Sequence, residues 1–120
     1  MRIGVDYYPE QWDSSLWDAD AETMAKTGVK LIRIGEYAWQ RLEPSEGAYD
    51  LEWLKDVITI FARRGIGTVL CIPTSCPPVW LFQKYPEIMP LQSDGRISMS
   101  RCINSPVFRQ YAKRITEDLV

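Results

Sequence analysis

Three short runs rich in β-branched residues alternate with stretches whose apolar residues recur at helical spacing, and this alternation limits the folds open to the chain. Residues 2–7 carry Ile3 and Val5 in a strand-favouring run. Leu16, Trp17, Ala21, Met24 and Ala25 then follow at the spacing of one helix face, with Asp13 or Ser14 as the cap and Gly28 as the stop. Residues 29–34 form the second run, broken only by Lys30 and Arg33. Trp53, Leu54, Val57, Ile58 and Phe61 mark a second helix, with Asp50 as its expected N-cap and Gly65 as its end. Residues 67–72 are the third run, and its lack of polar alternation predicts a strand covered on both faces. Ser105 and Pro106 open a third helix marked by Val107, Tyr111, Ile115 and Leu119. The order β-α-β-α-β-loop-α predicts an α/β fold, a parallel sheet with helices outside it. A doubly wound sheet and a (β/α)8 barrel both satisfy that order.

Between the third strand and the third helix lies an irregular stretch, residues 73–104, holding five of the eight prolines. Trp80 and Leu81 suggest a helical turn inside it. Ordinary connections are far shorter, so this length points to function or to a lid.

Several chemistries fall away at once. The first strand–helix junction lacks G-x-G-x-x-G, and no Walker motif occurs, which removes the usual support for a nucleotide fold. The chain has no histidine, so Ser-His, Cys-His and His-metal schemes cannot be built from it alone. Fourteen basic against sixteen acidic residues give a net charge of −2, a poor basis for binding nucleic acid or an anionic membrane. No apolar run approaches a membrane span. The residues after Met1 read as a strand rather than a signal peptide, and Cys71, Cys76 and Cys102 form no Cys-x-x-Cys pair. A reducing cytoplasm is the expected location.

The residues that carry a resemblance lie along nearly the whole chain. They are Gly4-Val5-Asp6-Tyr7-Tyr8-Pro9-Glu10-Gln11-Trp12, then Arg33-Ile34-Gly35-Glu36-Tyr37-Ala38-Trp39, Leu42-Glu43-Pro44, Gly47-Ala48-Tyr49-Asp50 and Trp53-Leu54. Pro73-Thr74, Pro77-Pro78, Trp80-Leu81, Tyr85-Pro86-Glu87-Ile88 and Asn104-Ser105-Pro106 continue the series. In this order and spacing the chain resembles glycoside hydrolase family 42, the bacterial β-galactosidases, with Tyr37 where the family usually has Phe. The resemblance implies that residues 1–120 are the amino-terminal portion of a catalytic (β/α)8 TIM barrel, its first three βα units and therefore incomplete. A whole barrel needs about 250 residues.

The resemblance further implies a retaining β-galactosidase that cleaves terminal β-D-galactosides with two glutamates. Both glutamates are expected beyond Val120, because the acid/base follows an asparagine and no Asn-Glu pair occurs here. The chain alone is thus expected to hold no catalytic residue and to be inactive. Glu10, Glu36 and Glu43 are the carboxylates near strand ends. Glu36, two residues past the second strand, is expected in a supporting role, paired with Arg33 or a backbone amide. Arg101 is the expected sugar contact, with Arg96 its rival. Cys102 matches a cysteine that, in some members, joins three later cysteines around structural zinc. No organic cofactor is implied, and a homotrimer is. Tyr7, Tyr8, Trp12, Tyr37, Trp39 and Trp80 fall at or after strand ends. They can stack on sugar C–H faces or pack in the core, the plainer reading for each alone. Two other readings of the function stay open: a non-catalytic sugar-binding module, and a barrel hydrolase for another glycoside such as an arabinoside.

Overall fold

Strands β1 (Ile3–Asp6), β2 (Val29–Ile34) and β3 (Gly67–Leu70) pair in parallel in the order β1-β2-β3, in a computed structural model that describes residues 2–120. Helices α1 (Trp17–Lys26) and α3 (Glu52–Arg63) connect them, and α5 (Pro106–Leu119) follows. Two short helices lie at the strand exits: α2 (Trp39–Leu42) after β2 and α4 (Val79–Lys84) after β3. The sheet is open at both edges, the incomplete arc that the sequence predicts.

Register and pleat assign the two faces. Ile32 stands opposite Val5 and Thr68, and Ile34 opposite Leu70, so these side chains share the face that meets the helices. Ile32 and Ile34 are fully buried there. Each contributes on the order of 2 kcal/mol through burial. The other face carries Gly4, Leu31 and Gly67 in one row, and Asp6, Arg33 and Val69 in the next. The first row alternates small and large: a methyl at Gly67 would stand 3.0 Å from Leu31 Cδ2. The residues of this face are exposed or half-buried, and Val69 is 48% exposed. The expectation that the third strand is covered on both sides therefore fails within this chain. Its run of apolar residues is explained by helices on one side and by neighbouring strands of a barrel interior on the other.

The helices bury the faces their spacing marks: Trp17 and Ala21 on α1, Trp53, Leu54, Val57 and Phe61 on α3, and Phe108, Tyr111 and Ile115 on α5. Tyr7 joins this core with its ring 5.2 Å from Phe61. Ser105 accepts from the Phe108 N–H at 3.3 Å and caps α5 as expected. Asp13 accepts from the Ser15 N–H at 2.9 Å but caps a 3-10 turn, Ser14–Leu16, that precedes α1; Leu16 holds the cap position of α1 itself, with no side-chain bond. Asp50 does not cap α3. Leu51 occupies the cap position, and the Asp50 N–H donates instead to the Leu42 carbonyl at 2.8 Å. The pairing of β3 extends only to the Cys71 N–H on Ile34 O, at 2.9 Å, before Pro73 removes a donor. The stretch expected to be irregular is more ordered than its prolines suggest. It holds α4, a 3-10 turn at Pro86–Ile88 and a small bridge between Leu91 and Ile97, anchored by buried Leu81 and Ile88.

Glu43 ties these pieces together from a fully buried position. Its Oε2 accepts from Trp39 Nε1 at 2.9 Å, and its Oε1 accepts from the Gly47 N–H at 2.8 Å and from the Arg114 guanidinium of α5. Its main-chain oxygen accepts from Trp80 Nε1 of α4 at 2.8 Å. Replacing Glu43 by Ala strands a buried indole N–H, an amide and a half-buried guanidinium, and the expected loss is roughly 3 kcal/mol of stability. Urea denaturation of the variant beside the parent measures it.

Candidate functional site

The polar groups gather where the parallel strands end. Asp6 closes β1, Arg33 stands near the end of β2 and Glu36 follows two residues after it. Arg33 Nη1 donates to Glu36 Oε2 at 2.6 Å and lies 3.5 Å from Asp6 Oδ1. The hydrogen bond from Arg33 holds the Glu36 carboxyl below its usual range and raises the guanidinium in return. Glu36 thus has the supporting partner its spacing implies, and it is ionised at neutral pH.

The other two carboxylates near strand ends are sealed. Glu43 is the buried hub described above. Glu10 lies in the 3-10 turn Pro9–Gln11, with both carboxylate oxygens buried and without a hydrogen-bond partner. Burial pushes its carboxyl up, against the nearby Arg41 charge. Arg41 itself donates to the Glu10 main-chain oxygen at 3.2 Å and lies over the Trp53 ring, 4.5 Å from its centroid.

The wall after β2 is stitched to the wall after β3. Gly35 sits at φ 89°, and a methyl there would stand 3.1 Å from Leu70 Cδ1 and 3.3 Å from Cys71 O, so only glycine lets the two exits approach. Ser75 Oγ donates to the Glu36 carbonyl at 3.1 Å, and the Val79 N–H donates to Gln40 Oε1 at 2.8 Å. With Trp80 on the Glu43 carbonyl, three hydrogen bonds join the loops.

The six aromatic residues divide. Tyr7 and Trp39 are core, and half-buried Trp80 packs edge-on to Tyr111. Trp12 is exposed. Tyr8 and Tyr37 stand together at the mouth, ring centroids 5.7 Å apart.

Of the two arginines weighed as a sugar contact, Arg96 has its fork occupied: Nε and Nη2 lie 2.7 Å and 2.6 Å from Asp94 Oδ2 within its own turn. Arg101 is half-buried, and its Nε is buried without a partner. Cys102 is held by its backbone, the N–H donating to Ile88 O at 2.7 Å. Its thiol is free, and among the described residues no three of His, Cys, Asp and Glu gather around a common point. The residues present do not by themselves make a metal site.

Sequence reasoning missed Ser75, Gln40 and Arg114. Their partners lie 39, 39 and 71 residues away, and no local pattern signals such pairs.

A parallel β/α arc with its charged and aromatic residues at the strand carboxyl ends has the architecture of a barrel enzyme, whose chemistry sits on that face. The family model Glyco_hydro_42, described as Beta-galactosidase, matches residues 6–120, and the chain belongs to that glycoside hydrolase family. The β-galactosidase BgaA of Clostridium cellulovorans is 51% identical over 122 residues, covering 98% of this chain and 18% of that protein. The solved β-galactosidase of Halorubrum lacusprofundi superposes with a TM-score of 0.95 at 38% identity, over 99% of this chain and 19% of that one. The β-galactosidase of Marinomonas ef1 gives 0.94 at 31%, over 99% and 19%. The chain thus spans about a fifth of the length of these relatives.

The sealed Glu10 carboxyl generates a pH prediction. Its folded pKa lies above the unfolded one, so the folded state binds the extra proton and stability falls as pH rises through that window. Glu10→Gln removes the charge. The variant should gain stability relative to the parent as pH rises from the ordinary carboxylate range toward neutrality. Thermal melts across that range check the sign.

Proposed function

We propose that residues 1–120 are the amino-terminal portion of the catalytic barrel of a retaining β-galactosidase. The observation that carries this reading is the charged cluster of Asp6, Arg33 and Glu36 at the strand carboxyl ends, in a chain whose relatives are named β-galactosidases.

Retention requires two carboxyl groups about 5 to 5.5 Å apart, one nucleophilic and one protonated. The protonated member must carry a raised pKa and reach the glycosidic oxygen. Glu36 reaches the mouth but is held ionised by Arg33, and the raised Glu10 carboxyl is enclosed. Neither is therefore a general acid, and the family resemblance puts both reacting glutamates on other strands of the barrel. This chain supplies the first part of the wall: a rigid double loop, hydrogen-bonding groups and aromatic surface. Arg101 is the sugar contact of this reading, because its buried Nε has no protein partner and a guanidinium can donate to two hydroxyls at once. Cys102 contributes one thiolate to a structural zinc completed by later cysteines. A homotrimer rests on the family resemblance. A cytoplasmic location is supported by the three free thiols. Among the described residues no helix is long and apolar enough to cross a membrane.

A graft tests the reading. Residues 1–120 replace the matching segment of the Clostridium cellulovorans enzyme, and hydrolysis of a chromogenic β-galactoside is followed. The graft should turn over, and the 120-residue chain alone should stay at the level of a mock preparation. Turnover by the chain alone would sink the idea that the reacting carboxyls lie elsewhere. A graft that prefers an arabinoside would reassign the substrate. Within the graft, Arg101→Ala should raise KM roughly tenfold, while Arg96→Ala should leave it near the parent value.

A further inference from the structure

Two tight turns meet at the carboxyl ends of β2 and β3, and one side-chain hydrogen bond joins them. After β2, the Ala38 N–H donates to the Gly35 carbonyl at 3.2 Å and closes a turn with Glu36 and Tyr37 at its centre. After β3, the Cys76 N–H donates to the Pro73 carbonyl at 3.2 Å and closes a turn with Thr74 and Ser75 at its centre. Ser75 Oγ donates to the Glu36 carbonyl at 3.1 Å. That oxygen belongs to the central peptide of its turn, the unit whose rotation distinguishes type I from type II turns. The contact therefore sets how Glu36 leaves the backbone. Donor and acceptor both lie within this chain, so the bond does not depend on what covers the mouth in a whole barrel.

The Glu36 carboxylate in turn decides where Arg33 points. Its Oε2 accepts from Arg33 Nη1 at 2.6 Å, and Asp6 Oδ1 lies 3.5 Å from the same nitrogen. Both carboxylates meet one nitrogen of the guanidinium, so the rest of its fork is not spent on them. Register places Arg33 in a row with Asp6 and Val69, on the face away from the helices. A guanidinium on the inner face at the carboxyl end of a barrel strand stands where substrate enters, and its fixed fork can donate to two hydroxyls at once.

We propose that Ser75 is a positioning residue for the galactosidase reaction: it pins the Glu36 turn, and through the Glu36 carboxylate it aims Arg33 at the sugar hydroxyls. This rests on the galactosidase reading and deepens it. Ser75 can do this because its own segment is anchored at both ends. The Cys71 N–H is on Ile34 O at 2.9 Å before it, and the Val79 N–H is on Gln40 Oε1 at 2.8 Å after it. Pro73, Pro77 and Pro78 restrict the backbone between those anchors. The fork is thus preorganised, and less freedom is lost when the sugar binds.

The graft tests this in three arms. Ser75→Ala should raise KM for a chromogenic β-galactoside roughly 3- to 10-fold and keep kcat within about twofold, the signature of lost binding rather than lost chemistry. Gln40→Ala removes a bond between the same two loops that does not touch the Glu36 turn, and it should move KM less than Ser75→Ala does. In a Glu36→Ala background, Ser75→Ala should add under about twofold, because the pair it orients is already gone. Thermal melts establish that each variant folds. Equal KM shifts for Ser75→Ala and Gln40→Ala would reduce Ser75 to a general tie between loops and overturn the proposal. So would a parent KM in Ser75→Ala, a fall in kcat alone, or effects at Ser75 and Glu36 that simply add. If any of these occurs while the unsubstituted graft cleaves galactosides, the galactosidase reading survives. A graft that cleaves no galactoside overturns both.

Discussion

A carboxylate with no contact to solvent, Glu43, is the constraint on which the rest of this structure depends. An unpaired charge at such a depth would cost several kcal/mol. Donors from Trp39, Gly47 and Arg114 remove that cost, and the Trp80 bond to its carbonyl adds a fourth segment. The donors belong to α2, the loop before α3, α5 and α4, so satisfying one side chain fixes four elements relative to each other. The rigidity of the strand exits follows. With α4 hung on Glu43, the segment from Pro73 to Val79 spans a fixed gap, and Ser75 can hold the Glu36 carbonyl. A second ionic cluster works in the same direction at the surface: Glu46 takes Lys84, Tyr111 and Tyr85, pulling the same loop onto α4 and α5.

What the sequence reveals of this architecture tracks how local each cause is. Strand β2 and helices α1, α3 and α5 are legible because their burial patterns repeat within the element. The Arg33–Glu36 pair is legible because the partners are three residues apart. Asp50 misleads because a good capping residue one position early has its N–H drawn to Leu42, and the helix begins after Leu51. Helix α4 is legible only as the turn at Trp80 and Leu81; the prolines around it mask its full extent, although Pro78 stands just before the helix, where a missing N–H costs nothing. Glu43 reads as one more candidate carboxylate. Its role emerges only with Arg114, placed by the packing of a helix far along the chain.

On the exposed inner face Leu31 stands in one row, with Gly4 and Gly67 leaving it room, and Val69 shares the next row with the charged Asp6 and Arg33. A one-sided sheet exposed to water would carry polar residues in both rows. This mixture fits a barrel interior: apolar layers below, where opposing strands interdigitate, and charges above, where ligands enter.

Electrostatics keeps two properties apart in this chain. A general acid must combine a raised pKa with access to the leaving oxygen. Here those properties sit on different residues: Glu10 has the raised pKa without the access, and Glu36 has the access with a lowered pKa. Exchanging them would require breaking the Arg33 pair or opening the Pro9–Gln11 turn, and each is held by contacts that also shape the mouth. The same Arg33–Glu36 bond that disqualifies Glu36 as a proton donor fixes the turn carrying Tyr37. In this part of the barrel, positional rigidity and proton transfer are competing demands on one carboxylate, and the geometry has settled on rigidity.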